Sequence, residues 1–141
     1  EPVGRIDVRY GERAGTTIEA DEVPSLIDEL PVLPASAALG GHLEVRGAGE
    51  LRVKESDRIS ALVTGLRALG VAAEEYADGF VIDGRAGVPR GGEADAAHDH
   101  RLVMAFSLVA LGAAGPSVIH GADAVAVSYP GYVDDLKRLS Q

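Results

Sequence analysis

An α/β domain assembled from a repeated helix–strand–helix unit is the fold this sequence predicts, on three observations. Segments with helical periodicity alternate with short strand-like runs along the chain. The stretch Gly41–Leu66 lines up with Gly115–Ser140 at a constant offset of 74, which sets Gly47-Ala48 on Gly121-Ala122, Val45 on Ile119, Val53 on Val127, Ile59 on Val133 and Leu62 on Leu136. A repeat this long implies a supersecondary unit of two helices and about four strands. The second copy ends after its second helix, so the residues themselves give roughly one and a half units. Finally, 141 residues that are 46% hydrophobic and 25% charged can bury a real core and are not the composition of a disordered chain.

Taken in order, 1–10 reads as a strand through the alternation Ile6, Val8, Tyr10, with a turn at Gly11 and Gly15. The chain has no initiating Met and enters that alternation at once, which predicts a piece of a longer protein. Thr16–Ala20 is a second short strand. A helix is expected over Leu26–Leu39, closed by Gly40-Gly41 and distorted near its start by Pro31 and Pro34. Leu43–Arg46 is a strand ended by Gly47. Asp57–Leu69 is the clearest helix, with Ile59, Leu62, Val63, Leu66 and Leu69 on one stripe, Ser56 as the expected N-cap and Gly70 as the stop. Val71–Glu75 and Phe80–Asp83 form a hairpin around Asp78-Gly79. Arg85–Ala97, rich in Gly, Ala and charge, is a mobile loop holding one edge strand. Leu102–Leu111 is apolar except for Ser107, hence a helix buried on nearly all sides. Ser117–His120 is a strand, and Ser128-Tyr129-Pro130 starts a last helix striped by Val133, Leu136 and Leu139.

The net charge of −9 argues against nucleic-acid and anionic-membrane partners, so any anion site must be a local pocket on an acidic body. No cysteine is present, which removes disulfides, zinc-thiolate sites and thiol catalysis. No apolar stretch is long enough to span a bilayer. Phosphate-loop, dinucleotide-binding and serine-hydrolase motifs are missing.

Two helix starts carry cations where the dipole favours carboxylates: Lys54-Glu55-Ser56-Asp57-Arg58 and Asp99-His100-Arg101. Backbone N–H groups and an Arg at one point make an anion site. The bland alternatives are a solvated helix start for the first run and, for the second, Asp99 as a simple N-cap. An Arg two positions into a buried helix needs a partner, however, and either a bound anion or Asp28 or Glu55 would serve. Acidic residues such as Asp28-Glu29 near a helix start are the default on pattern alone. His98 and His42 read as surface residues. A metal site from His98, Asp99 and His100 has poor ligand spacing. Helix starts grouped at one end of the domain would place Asp28, Lys54, Glu55, Arg58, His100 and Arg101 on one anion-binding face.

The run Leu-Arg-Val-Lys-Glu-Ser-Asp-Arg-Ile at 51–59 resembles a signature of the 5-enolpyruvylshikimate-3-phosphate synthase family of carboxyvinyltransferases. Asp-His-Arg at 99–101 with Met104-Ala105-Phe106-Ser107, Leu26-Ile27-Asp28-Glu29-Leu30-Pro31, and Ser128-Tyr129-Pro130-Gly131-Tyr132 resemble further family segments in the right order. The resemblance implies an inside-out α/β barrel of βαβαββ units, six in all, of which 1–141 would be a C-terminal portion of about two units within one domain. It implies transfer of the enolpyruvyl group of phosphoenolpyruvate to the 5-hydroxyl of shikimate 3-phosphate with release of phosphate, in a cytoplasmic enzyme of aromatic amino-acid biosynthesis that needs no metal or organic cofactor and is a glyphosate target.

By the same resemblance, Asp28 is the carboxylate at the shikimate hydroxyls and a candidate base. Lys54 contacts the shikimate phosphate and is a candidate proton shuttle. Glu55 protonates the methylene of phosphoenolpyruvate. Arg58 and Arg101 grip its carboxylate, and His100 neighbours that site. The residue types suit the chemistry: an acid at the methylene, a base at the hydroxyl, and planar guanidiniums for a carboxylate. One departure is Val127, where some family members carry a lysine. The N-terminal part of the enzyme would complete the cleft, so the chain alone is not expected to turn over substrate. Two rivals remain, a transferase acting on a UDP-sugar and a non-catalytic phosphate- or carboxylate-binding module.

Overall fold

Two parallel strand pairs, each bridged by helix, organise the chain. The structure, a computed structural model, describes residues 14–140 together with 4, 5, 7, 9 and 11. Most of the expected first strand, 1–10, lies outside the described residues. In the first pair, β1 (Gly15–Ile18) runs parallel to β2 (His42–Val45), from Gly15 against His42 to Ile18 against Val45. The hairpin β3 (Ala72–Tyr76) and β4 (Gly79–Asp83) extends that sheet in the order β1-β2-β4-β3. In the second pair, β5 (Gly92–Asp95) runs parallel to β6 (Ser117–His120) as a separate two-stranded sheet. The edge strand expected within 85–97 is therefore β5, and it belongs to a second sheet.

The helix expected over Leu26–Leu39 is broken. It forms α1 (Val23–Leu26) and α2 (Leu33–Ala38), joined by turns. Pro24 and Pro34 each occupy the first turn of a short helix, where the missing N–H costs nothing, and Pro31 lies in the connecting turn. Asp28 consequently sits in that turn and not at a helix start. The long helix is α3 (Arg58–Ala68), and its N-cap is Asp57, which accepts from Ser60 N at 3.0 Å, in place of the expected Ser56. The hairpin turn is Ala77-Asp78, one residue earlier than expected, with Tyr76 opposite Gly79. Helix α4 (His100–Leu111) begins at Asp99, which caps it by accepting from Arg101 N at 2.9 Å. The last helix, α5 (Tyr132–Leu139), starts two residues beyond Pro130. Ser128 N and Tyr129 N both donate to Val125 O and fold 128–131 into a turn first.

Positions 74 apart share local geometry. Gly47 and Gly121 are both left-handed, at φ 69° and 74°, values that suit glycine. Each leads into a 3₁₀ turn, Gly49–Val53 and Ala122–Val127, and then into α3 and α5.

The core lies between the four-stranded sheet and the pair α3 and α4. Val45, Phe80 and Ile82 of the sheet, Ile59, Leu62, Val63 and Leu66 of α3, and Leu102, Phe106 and Val109 of α4 are all essentially inaccessible to solvent. Each such large side chain contributes about 1.5–3 kcal/mol of burial. Helices α3 and α4 approach closely at Gly65, where a Cβ would fall 2.2 Å from Phe106 Cζ. Ser107, the polar residue of α4, bonds back to Val103 O at 2.7 Å, so it is buried without an orphaned hydroxyl. By contrast, none of α5 is buried, and Val133 and Leu139 of its expected stripe are exposed.

Candidate active site

The close crossing at Gly65 and Phe106 is followed by a meeting of the two helix starts. Arg58, the first residue of α3, is 1% exposed despite its charge. Its Nε donates to Asp99 Oδ2 at 2.5 Å, and Asp99 is fully buried at the cap of α4. Ser56 Oγ donates to the same oxygen at 3.3 Å. Arg58 Nη2 donates to Glu55 Oε2, and Nη1 lies 4.0 Å from Asp28 Oδ1. From α4, Arg101 Nη1 donates to the backbone oxygen of Asp28, and Nη2 is 3.4 Å from Asp28 Oδ1. The turn carrying Asp28 is held by the Leu30 N to Leu26 O bond at 2.9 Å and by the fully buried Leu30 side chain.

Asp28, Glu55, Arg58 and Arg101 are thus one cluster, joined by Asp99 and Ser56. Burial alone would raise the Asp99 carboxyl. The Arg58 hydrogen bond, the Arg101 N–H, the guanidinium charge and the Ser56 hydroxyl outweigh it and hold the group below the usual carboxylate range. Asp99 is therefore an anchor that fixes Arg58, with a role beyond capping that sequence reasoning did not assign. A usable signal was present: Arg58 stands four residues before Leu62 on the buried stripe of α3, so a partner for it was required.

Three carboxylates surround two guanidiniums here. Asp99 is inaccessible, whereas the side chains of Asp28 and Glu55 are 54% and 56% exposed. Asp28 and Glu55 are the two carboxylates open to displacement by an incoming carboxylate or phosphate, and Arg101, with 30% of its side chain exposed, is the more open cation.

Two expected members lie apart. Lys54 Nζ bonds to Glu50 Oε1 at 2.7 Å and not to the cluster. His100 opens α4 half-buried and, among the described residues, makes no hydrogen bond or ion pair to the cluster. Val127 ends its 3₁₀ turn 87% exposed. Among the described residues no three His, Asp or Glu side chains converge as a metal-ligating group.

The sequence profile of the family described as EPSP synthase (3-phosphoshikimate 1-carboxyvinyltransferase) matches residues 3–136. A protein of Lactiplantibacillus plantarum named 3-phosphoshikimate 1-carboxyvinyltransferase is 46% identical over 143 residues, covering 100% of this chain and 33% of its own length. A protein of the same name from Carboxydothermus hydrogenoformans is 44% identical over 142 residues, again covering 100% of this chain and 33% of its own. The solved EPSP synthase of Acinetobacter baumannii superposes with a TM-score of 0.82 at 39% identity, over 90% of this chain and 30% of that one. The chain spans about a third of the length of the curated relatives it matches.

Proposed function

The chain belongs to the EPSP synthase family, and from that premise we propose that it forms part of an enzyme that moves the enolpyruvyl group of phosphoenolpyruvate onto the 5-hydroxyl of shikimate 3-phosphate and releases phosphate. The observation that carries the reading is the gathering of Asp28, Glu55, Arg58 and Arg101 where α3 and α4 begin. In this reading Arg101, backed by Arg58, takes the carboxylate of phosphoenolpyruvate. A planar guanidinium fits that group in two places. Glu55, displaced from Arg58, delivers a proton to the methylene carbon, and Asp28 accepts the proton of the attacking 5-hydroxyl. The C–O bond forms as both transfers occur. Return of a proton from the new methyl group and departure of phosphate then restore the double bond.

The shikimate acceptor is preferred to a UDP-sugar by the names of the relatives. Lys54 is assigned to the shikimate phosphate and His100 to the neighbourhood of the Arg58–Arg101 carboxylate site, both after rearrangement from the positions described above. We take the chain as about two βαβαββ units of a longer enzyme whose other parts complete the cleft, working in the cytoplasm; no described helix is long and apolar enough to cross a membrane. Phosphate release from phosphoenolpyruvate with shikimate 3-phosphate, measured in the full-length enzyme carrying this chain, tests the reading. Glu55→Gln should lower kcat by about 10²–10⁴-fold, the range of a lost general acid. Equal rates for wild type and variant reject the role of Glu55.

A further inference from the structure

Arg52 lies outside the cluster, yet all three of its guanidinium nitrogens are engaged. Nε donates to Ala77 O at 2.8 Å, and Nη2 donates to Tyr76 O at 2.6 Å and pairs with Glu75 Oε1 at 2.9 Å. Nη1 donates to both carboxylate oxygens of Asp57, at 2.8 and 3.0 Å. Ala48 N adds a bond to Asp78 O at 2.6 Å. The tip of the β3–β4 hairpin is therefore bonded to the segment 48–52, and from there Arg52 crosses to the N-cap of α3.

Between Arg52 and Asp57 lie Val53, which ends the 3₁₀ turn, and the bend 54–56, which carries Lys54 and Glu55; together they are the segment 53–56. Val53 is 80% exposed and Glu55 is exposed, while Lys54 bonds to Glu50 and Ser56 to Asp99 on either side of Glu55. In the reaction proposed above, Glu55 is displaced from its bond with Arg58. Something else has to keep Glu55 at the mouth once that bond is gone, and the Arg52–Asp57 pair is placed to do so.

We propose that Arg52 is a positioning residue, which ties the segment 53–56 to the start of α3 and holds Glu55 within reach of the donor when Arg58 is taken by substrate. Its catalytic consequence rests on the function proposed above. The geometry needs a planar fork: one guanidinium serves two backbone oxygens and the carboxylates of Asp57 and Glu75 together, which an ammonium cannot.

Two measurements test this, on Arg52→Gln, Arg52→Lys and Asp57→Asn. Asparagine at 57 can still cap α3 by accepting from Ser60 N, so loss of the clamp is separated from loss of the cap. In the 141-residue chain, ¹⁵N order parameters at Lys54, Glu55 and Ser56 should fall from about 0.85 to below about 0.6 in all three variants, with Leu62–Leu66 unchanged. In the full-length enzyme, kcat should fall about tenfold to a hundredfold while KM for phosphoenolpyruvate stays within about threefold, and Arg52→Lys should not rescue it. A segment that stays rigid in the variants overturns the clamp, and a loosened segment with wild-type kcat overturns its positioning role. A wild-type enzyme that transfers no enolpyruvyl group overturns the functional reading, and the catalytic role of Arg52 with it, while the order parameters still decide whether the clamp exists.

Discussion

Asp99 and Arg58 are the pair on which the site is built, 41 residues apart in the chain and both hidden from solvent. Replacing Asp99 removes the one fully buried counter-charge of Arg58, whose other two partners, Glu55 and Asp28, are exposed. Asp99→Asn should therefore cost about 3 kcal/mol or more of stability in urea titrations at neutral pH. The pH dependence has a definite sign. The folded state holds the Asp99 carboxyl below its ordinary value, so it binds that proton less well than the unfolded chain does. The stabilisation is complete above the unfolded value, ~4, and is lost as pH falls through the lower folded value. The gap in unfolding free energy between wild type and Asp99→Asn should accordingly narrow below about pH 4, and a gap independent of pH would mean that Asp99 carries no paired charge. Glu55 and Asp28 differ from Asp99 in being exposed, which is what allows a substrate to displace them.

At the scale of elements, the site depends on how α3 crosses α4. Gly65→Ala places a methyl 2.2 Å from Phe106 Cζ, and the helices must separate or the ring must move. The expected loss is about 1–3 kcal/mol, partly recovered by adding Phe106→Leu, and thermal unfolding of the single and double variants reads it. Helix α3 was legible in the sequence because Ile59, Leu62, Val63 and Leu66 repeat on one face and Gly70 follows. The strands β2, β4 and β6 were legible from short apolar runs bounded by glycine. Other features were not. An Asp-Gly dipeptide marks a hairpin without saying which pair forms its tip, and here Ala77-Asp78 does. A proline near a helix start either opens the helix or breaks it, and only the backbone bonds from Glu29 N to Leu26 O and from Val32 N to Glu29 O show that 27–32 is a turn. The motifs led to the expectation that Asp28, Glu55, Arg58 and Arg101 share one face, and these four side chains do meet in one cluster. That Arg58 is sealed by Asp99, and that Lys54 turns to Glu50, are tertiary facts with no local sequence signature.

Over the whole molecule, apolar surface is unevenly covered. Helix α3 is sealed by the hairpin and β5, whereas α5, 74 residues further on, shows Val133 and Leu139 to solvent, and Val118 and Val127 are exposed as well. Exposed apolar groups collected on one side drive association. The isolated chain should self-associate at micromolar concentration, and Val133→Lys with Leu139→Lys should return it to a monomer in sedimentation equilibrium. A wild-type chain that stays monomeric at high concentration would show that this side is tolerated in water.

In the function proposed above, the cluster at the starts of α3 and α4 receives the carboxylate of phosphoenolpyruvate, with Arg101 as its open cation. Calorimetric titration of phosphoenolpyruvate into the full-length enzyme holding shikimate 3-phosphate tests it most directly. Arg101→Met should weaken binding about tenfold to a hundredfold, the loss of a charge-assisted hydrogen bond of about 1.5–3 kcal/mol. An unchanged dissociation constant, in a variant that still folds and still binds shikimate 3-phosphate, would contradict the account.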